Sequence, residues 1–356
     1  NIDDNSRGYY YAGSGDNDWD GRTQETPKST IQAAIEGANS LIPGAIATVR
    51  EGQGGIYSED ITLYDGVLVE GSQTAIVTSG AVGITAASGL SFNPQAILTS
   101  TDNATLLLIN GEEQFGADIR SMSLSGDSNT GVSIQGMNSG LFISISEVTV
   151  SNIKSTVIKY TGESVIPSDF NFNTVNLDGD DTTFFEYAPS SPTDTVDINI
   201  SSLHMDAATI GTQGLFVTSG TAKLRGGTLD SEMVAFTGPN GTISMSCNVI
   251  GGNTYSEGSI IYDTVGFIQG NLETAIGGTL QTRSSIIIGN ATNAGGMSIK
   301  CDSFQGEIVN TGEMFVQIDD YTGTLPANDG SINGIIGGIR YGNWRNRREM
   351  ETLLSA

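Results

Sequence analysis

Three segments of this chain repeat one pattern of apolar and polar residues, and that repetition restricts the fold more than any other feature. The template is apolar-x-apolar-x-x-apolar-x-apolar. It runs through Ile143, Ile145, Val148 and Val150, then Phe170, Phe172, Val175 and Leu177, then Ile198, Ile200, Leu203 and Met205. The final positions step by 27 and then 28 residues, and Leu124, which closes a run from Ile119 through Met122, lies 26 before Val150. A second apolar strand recurs between these segments: Val132–Ile134, Val157–Tyr160, Phe184–Tyr187, Leu215–Val217, Val234–Phe236, Ile260–Tyr262 and Ile286–Ile288. From Val132 to Ile286 there are 154 residues in six steps, about 26 per step.

Alternation means that each strand keeps one face inward and one outward. The two polar positions inside the template mark a corner, after which inward pointing resumes. A unit this short cannot bury its inward face alone, so neighbouring units must stack and share a core. Each inward Val, Ile, Leu or Phe then contributes roughly 1.5–3 kcal/mol. The 3.6-residue spacing of an amphipathic helix is missing from these segments. A sandwich of sheets has no fixed echo of this length, and the LxxLxLxxN signature of leucine-rich repeats is absent. The expected fold class is all-β: a parallel β-helix of about ten rungs, with Ile145, Phe172 and Ile200 in one inward column.

Such a stack needs end caps, because its last strands expose unpaired edges. Residues 29–41, STIQAAIEGANSL, supply an N-terminal capping helix, with Ser29 or Thr30 as N-cap and Ile31, Ala34, Ile35 and Ala38 along one face. The stretch ahead of it contains Gly15, Asp16 or Asn17, Asp20, Gly21, Thr23, Pro27, Thr30, Ile31, Gln32, Ala34 and Ile35. After it, GGIYSE presents Gly55, Tyr57 and Glu59. Over residues 9–72 this order resembles the opening of the pectate-lyase-like superfamily of right-handed parallel β-helices, with its G-x-D-x-x-D-G-x-T loop, P-x-x-T-I-Q-x-A-I helix start and G-x-Y-x-E turn. The resemblance implies right-handed coiling. It leaves function open, since the superfamily is understood to include lyases, hydrolases, epimerases, phage tailspikes and inert virion proteins. The expected organisation is a strand, loop and capping helix over residues 1–46, the β-helix over 47–322, and a Gly-rich, basic tail over 323–356.

Net charge is −25, from 40 acidic and 15 basic residues, which argues against nucleic acid as a partner. No segment approaches the roughly 18 uninterrupted apolar residues that insertion into a membrane requires. The 47 glycines against 8 prolines suit short strands joined by tight corners. Cys247 and Cys301 are expected as free, inward thiols two rungs apart, too far for a disulfide. The chain opens on Asn1 without a signal peptide, as expected of a processed or excised segment.

Asp16, Asp18, Asp20 and Gly21 read D-x-D-x-D-G, the alternating oxygen ligands of a calcium loop, although Pro27 stands where such a loop has its bidentate Glu. A bound Ca2+ is one reading, and an Asp-capped turn leading into the helix is the simpler one. Asp178, Asp180 and Asp181 form the densest acidic stretch and the weak candidate for a hydrolytic carboxylate pair. A polar corner explains them as well, and Asp194 and Asp206 are further acids. Of the Asp-Asp, N-T-D, G-H-G and R-I-K motifs that polygalacturonase-like relatives carry, only the first is present. Lys223 and Arg225 alternate on one strand and face one way, which makes them the best-placed pair for an anionic sugar or a lyase base. Arg120, Lys154, Lys159, Arg283 and Lys300 are the other cations along the repeat, and scattered solvated charges are the simpler reading of the set. His204, the sole histidine, alternates outward between Leu203 and Met205. Tyr9–Tyr11, Trp19, Tyr341 and Trp344 offer rings that could stack on sugars, and plugs at the ends of the stack are the simpler reading.

In the tail, Arg340, Trp344, Arg345, Arg347 and Arg348 form a basic arm suited to docking on a neighbouring acidic subunit, an ordinary C-terminal cap explains the tail equally well, and a helix is expected from about Trp344. The leading expectation is a non-enzymatic viral or phage surface protein (a tail fibre, spike or capsid-associated β-helix). It would bind a host surface polysaccharide or another virion component, act extracellularly or on the virion, require no cofactor and, by resemblance, assemble as a homotrimer. The alternatives are a polysaccharide lyase or glycan depolymerase, possible calcium assistance included, and a bacterial surface adhesin or scaffold.

Overall fold

Strand after strand pairs in parallel with a strand one turn further along the chain, which is the geometry a stacked repeat demands. The structure is a computed structural model. It describes residues 9–41, 47–51, 56–63, 67–70, 75–78, 82–86, 90–93, 97–100, 105–110, 117–120, 123–126, 130–135, 143–146, 149–151, 156–160, 168–172, 175–177, 183–189, 193, 195–205, 213–324 and 326–344. The chain divides into two units, Asn1–Phe185 and Glu186–Ala356. Among the described residues no helix is long and apolar enough to cross a membrane.

The first unit opens with the strand Tyr9–Ala12 and the helix Ile31–Leu41. Ile31, Ala34, Ile35 and Ala38 are buried, as the apolar stripe requires. Thr30 proves to be the N-cap, its Oγ1 accepting from the Ala33 amide at 3.1 Å. Five short strands, starting at Ile56, Ala75, Ile97, Ser123 and Thr149, pair in parallel order, and the last two steps are 26 residues each. Leu124 pairs with Val150, as the repeat predicts. Ile145, however, pairs with Ile119 on one side and Phe170 on the other, so Phe172 does not stand in its column. The reason is physical: sliding a strand by two residues leaves inward and outward faces unchanged, so alternation identifies a face without setting register.

In the second unit the turns are shorter. Register runs from Thr242 through Ser259, Thr279, Gly296 and Glu313 to Ser331 in steps of 17, 20, 17, 17 and 18 residues. This is a parallel β-solenoid of about five turns. Ten rungs on one 26-residue period are not supported, because the three-residue strands and two-residue corners here close a turn in fewer residues. Two buried columns illustrate the stacking: Ile243, Ile260, Leu280, Met297, Met314 and Ile332, and alongside them Cys247, Val265, Ser284, Cys301, Ile318 and Ile336. The two thiols are free and buried as expected, but three register steps separate them rather than two. Ile286–Ile288 is also corrected: Ile287 points inward, while Ile286 and Ile288 are 42% and 37% exposed. Three consecutive isoleucines conceal which parity is buried. The strand Ser331–Ile336, within the expected tail, adds one more parallel pairing and then meets Ile339–Trp344 antiparallel.

One inward column is polar. Thr274 Oγ1 donates to Asn293 Oδ1, Asn293 Nδ2 donates to Asn310 Oδ1 at 2.6 Å, and Asn310 Nδ2 donates to Asn328 Oδ1 at 2.6 Å. Each buried amide is thereby satisfied by the next turn, as burial of polar groups requires. The adjoining corner needs glycine. Gly289 has φ +146, and a Cβ there would lie 2.1 Å from the carbonyl oxygen of Gly270 one turn before.

Candidate functional site

From Thr242 onward, the first, third and fifth residues of each turn's long strand segment point out of one sheet, here termed the front face. Its third-position column is Ser244, Ile261, Gln281, Ser298, Phe315 and Asn333. Arg283, Lys300, Gln317 and Ile335 form the fifth-position column. Lys223 and Arg225 occupy equivalent offsets in their own strand, pair with Asp197 and Asn199, and are exposed on the same outward parity, as expected. Arg283 and Lys300 therefore stand at front-face positions, and Lys223 and Arg225 are exposed on the outward parity of their own strand. Among the described side chains, Asp263 and Glu313 are the acids at such positions. Asp230, Glu232, Glu257, Glu273, Asp302, Glu307, Asp319, Asp320 and Asp329 stand elsewhere on the turns. On so acidic a chain this sorting makes the front face the place where anionic groups are least repelled.

A groove of about 530 Å³ runs along this face across five turns, between Ser259 and Asn333. Ser259, Thr279, Gln281, Ser298 and Ser331 line it with hydroxyl and amide groups, Gly296 widens its middle, and Phe315 stands in it 53% exposed. Glu313 is the one carboxylate among its lining residues. The outward rings of Phe216, Phe236 and Tyr255 behave differently, since they stack on one another with centroids 4.6 and 5.5 Å apart. Their faces are mutually covered, whereas Phe315 makes no ring contact with a described residue.

The chain matches no protein-family model, no curated protein and no solved structure. The fold and the site therefore rest on the geometry itself.

The D-x-D-x-D-G stretch is built as a turn. Asp16 Oδ1 accepts from the Asp18 amide at 3.0 Å, and Asp20 Oδ1 accepts from the Arg22 amide at 3.0 Å and from Thr26 Oγ1 at 2.8 Å. The bond from the Arg22 amide, then that from Thr26, holds the Asp20 carboxyl below its usual range. Among the described residues no group of three or more His, Cys, Asp or Glu side chains is arranged to hold a metal. Asn17, Gln32 and Glu59 converge on the helix start. Asn17 Oδ1 accepts from the Ser29 and Thr30 amides, Glu59 accepts from the Ile31 and Gln32 amides at 2.8 and 2.9 Å, and Gln32 Oε1 accepts from the Thr62 amide at 2.7 Å.

Of the other candidates, Asp178, Asp180, Asp181, Arg345, Arg347 and Arg348 lie outside the described residues, as does the helix expected after Trp344. Arg340 is exposed and pairs through its backbone with Ile335, and Trp344 pairs with Ile332. His204 pairs through its backbone with Asp230. Trp19 is 43% exposed rather than buried as a plug. In the sequence alone Arg283 and Lys300 stand only among scattered charges. Their 17-residue spacing, equal to the local turn length, is the signal that places them side by side.

Proposed function

We propose that this protein is a non-catalytic β-solenoid surface protein whose front face binds a polysaccharide lying along the solenoid axis. The observation that carries this reading is the groove itself: a run of hydroxyls and amides across five turns, with a free aromatic ring in it and every nearby cation on the same face. Hydroxyls and amides match the donors and acceptors of sugars, and an uncovered ring offers an apolar face to a pyranose. Glycoside hydrolysis calls for two carboxylates flanking the bond, and Glu313 stands alone among the groove's lining residues, which favours binding over turnover. The right-handed coiling, homotrimeric assembly and viral or phage surface setting implied by the N-terminal resemblance extend this reading, with a host glycan as the natural ligand.

The test is to titrate neutral and acidic polysaccharides into the full chain while following unsaturated-uronate absorbance and reducing ends. Saturable binding without product release is expected. Phe315→Ala should weaken it, and so should Gly296→Trp, which fills the groove where a Cβ meets only ordinary contact with Thr279 at 3.5 Å. Steady release of product would sink the non-catalytic reading in favour of a lyase or depolymerase. Light scattering tests the trimer, which a monomeric mass at all concentrations would defeat.

A further inference from the structure

Next to the groove, two residues further along the same strands, lies a second hollow of about 320 Å³ with walls of opposite charge. On one wall Arg283 and Lys300 are direct register partners, with Gln317 continuing the row. Two cations are thus anchored on adjacent turns, about 4.8 Å apart at the backbone. On the other wall Asp302 and Asp319 follow the inward partners Cys301 and Ile318 around the corner. All four charged side chains are exposed, and none forms an ion pair with a described residue.

We propose that this cleft recognises a zwitterionic sugar unit, its carboxylate on Arg283 and Lys300 and its ammonium on Asp302 and Asp319. This rests on the polysaccharide-binding reading and names the class of sugar. Charge complementarity selects the ligand. A purely anionic chain gains from the cation row but meets Asp302 and Asp319 across the cleft. A purely cationic chain is drawn to the whole acidic surface and has no reason to prefer this place. A unit bearing both charges satisfies both walls. The cleft opens beside the groove because Gln281, Ser298 and Phe315 precede Arg283, Lys300 and Gln317 by two residues on the same outward parity. A chain lying on Phe315 therefore places its substituents over the charged rows.

Three hexasaccharides test this by calorimetry on the full chain: heparosan (anionic), its de-N-acetylated form on the same backbone (alternating glucosamine and glucuronate, hence zwitterionic) and, as a cationic comparator of different linkage, chitosan. The zwitterionic form should bind about fivefold or more tighter than either comparator, the scale of two exposed charge contacts. Arg283→Gln with Lys300→Gln should reduce its affinity to the level of chitosan. Asp302→Asn with Asp319→Asn should reduce it to the level of heparosan. Since all four residues are solvent-exposed, circular dichroism should confirm that both double variants fold. Equal affinity for the three ligands, or preference that survives both double variants, overturns the cleft assignment. If that unselective binding still falls in Phe315→Ala, the polysaccharide-binding reading stands without it. Absence of binding by all three overturns the cleft assignment, and the polysaccharide-binding reading falls with it only if the neutral polysaccharides also fail to bind.

Discussion

Two buried polar positions in the same solenoid make opposite demands on stability. Asn310 is fully satisfied: its Oδ1 accepts from Asn293, and its Nδ2 donates to Asn328 Oδ1 and to the carbonyls of Gly312 and Ser331. Asn310→Ala orphans partners on both neighbouring turns, and the expected loss is about 2–4 kcal/mol, measured as a lower urea midpoint at unchanged slope. Thr282 Oγ1 is also buried, yet it has no hydrogen-bond partner among the described residues. Thr282→Val keeps the shape, removes a desolvated hydroxyl, and should raise stability by about 1 kcal/mol. A loss there would show that the hydroxyl is satisfied by solvent inside the core. The thiols follow the same logic. Burial pushes both Cys247 and Cys301 up to about 12, with Asp302 and Asp319 adding to the effect at Cys301. Neither thiol should react with Ellman's reagent at pH 8 until denaturant is added, because the thiolate is the reactive form.

At the scale of elements, the capping helix is the part most legible in sequence, because its stripe Ile31, Ala34, Ile35 and Ala38 obeys a single local period. What sequence could not show is that the residue closing its N-terminus is Glu59, 28 positions away from the Ile31 amide it accepts from. Two free helix amides meet one carboxylate there, so Glu59→Ala should cost roughly 1–2 kcal/mol, seen as earlier unfolding of the first unit. Its pH dependence has a definite sign. Burial raises the Glu59 carboxyl above 4.5, and the two amide bonds only partly offset this. A raised acid contributes stability that is complete below the ordinary value and is lost as pH rises through the folded one. The stability of the parent relative to Glu59→Gln should therefore increase as pH falls from 7 towards 4, and the opposite slope would refute the assignment. The strands were legible in kind and misread in length. A 26-residue ruler fits Leu124 and Val150 but overshoots the second unit. There the recurring marks are corner glycines such as Gly289 and Gly306, each followed four residues later by the buried Asn293 and Asn310. Polar residues make those marks, and a search for apolar periodicity passes over them.

For the whole molecule, net charge dominates. The front face was half legible: alternation put Lys223 and Arg225 outward, but pairing Arg283 with Lys300 requires the shorter turn, and charges assigned to the wrong turn look scattered. With 40 acids against 15 bases, most charge pairs at any distance are repulsive, and folding brings them closer than they are in the unfolded chain. That repulsion is long-ranged and exposed, so it should fall as the screening length drops from about 10 Å at 0.1 M salt to about 3 Å at 1 M. Raising sodium chloride over this range should increase the melting temperature by about 1–2 °C, equivalent to roughly 1 kcal/mol in a chain of 356 residues. Sodium and tetramethylammonium chlorides at equal ionic strength should give the same shift, because screening depends on ionic strength and not on which cation supplies it. A shift confined to one cation would indicate site binding instead. If calcium alone stabilised the chain at millimolar concentration, the Asp16–Asp20 loop would be the first place to look, and Asp18→Asn should then abolish the effect. Screening predicts no such dependence, since Asp16 and Asp20 already have backbone amide partners within the turn.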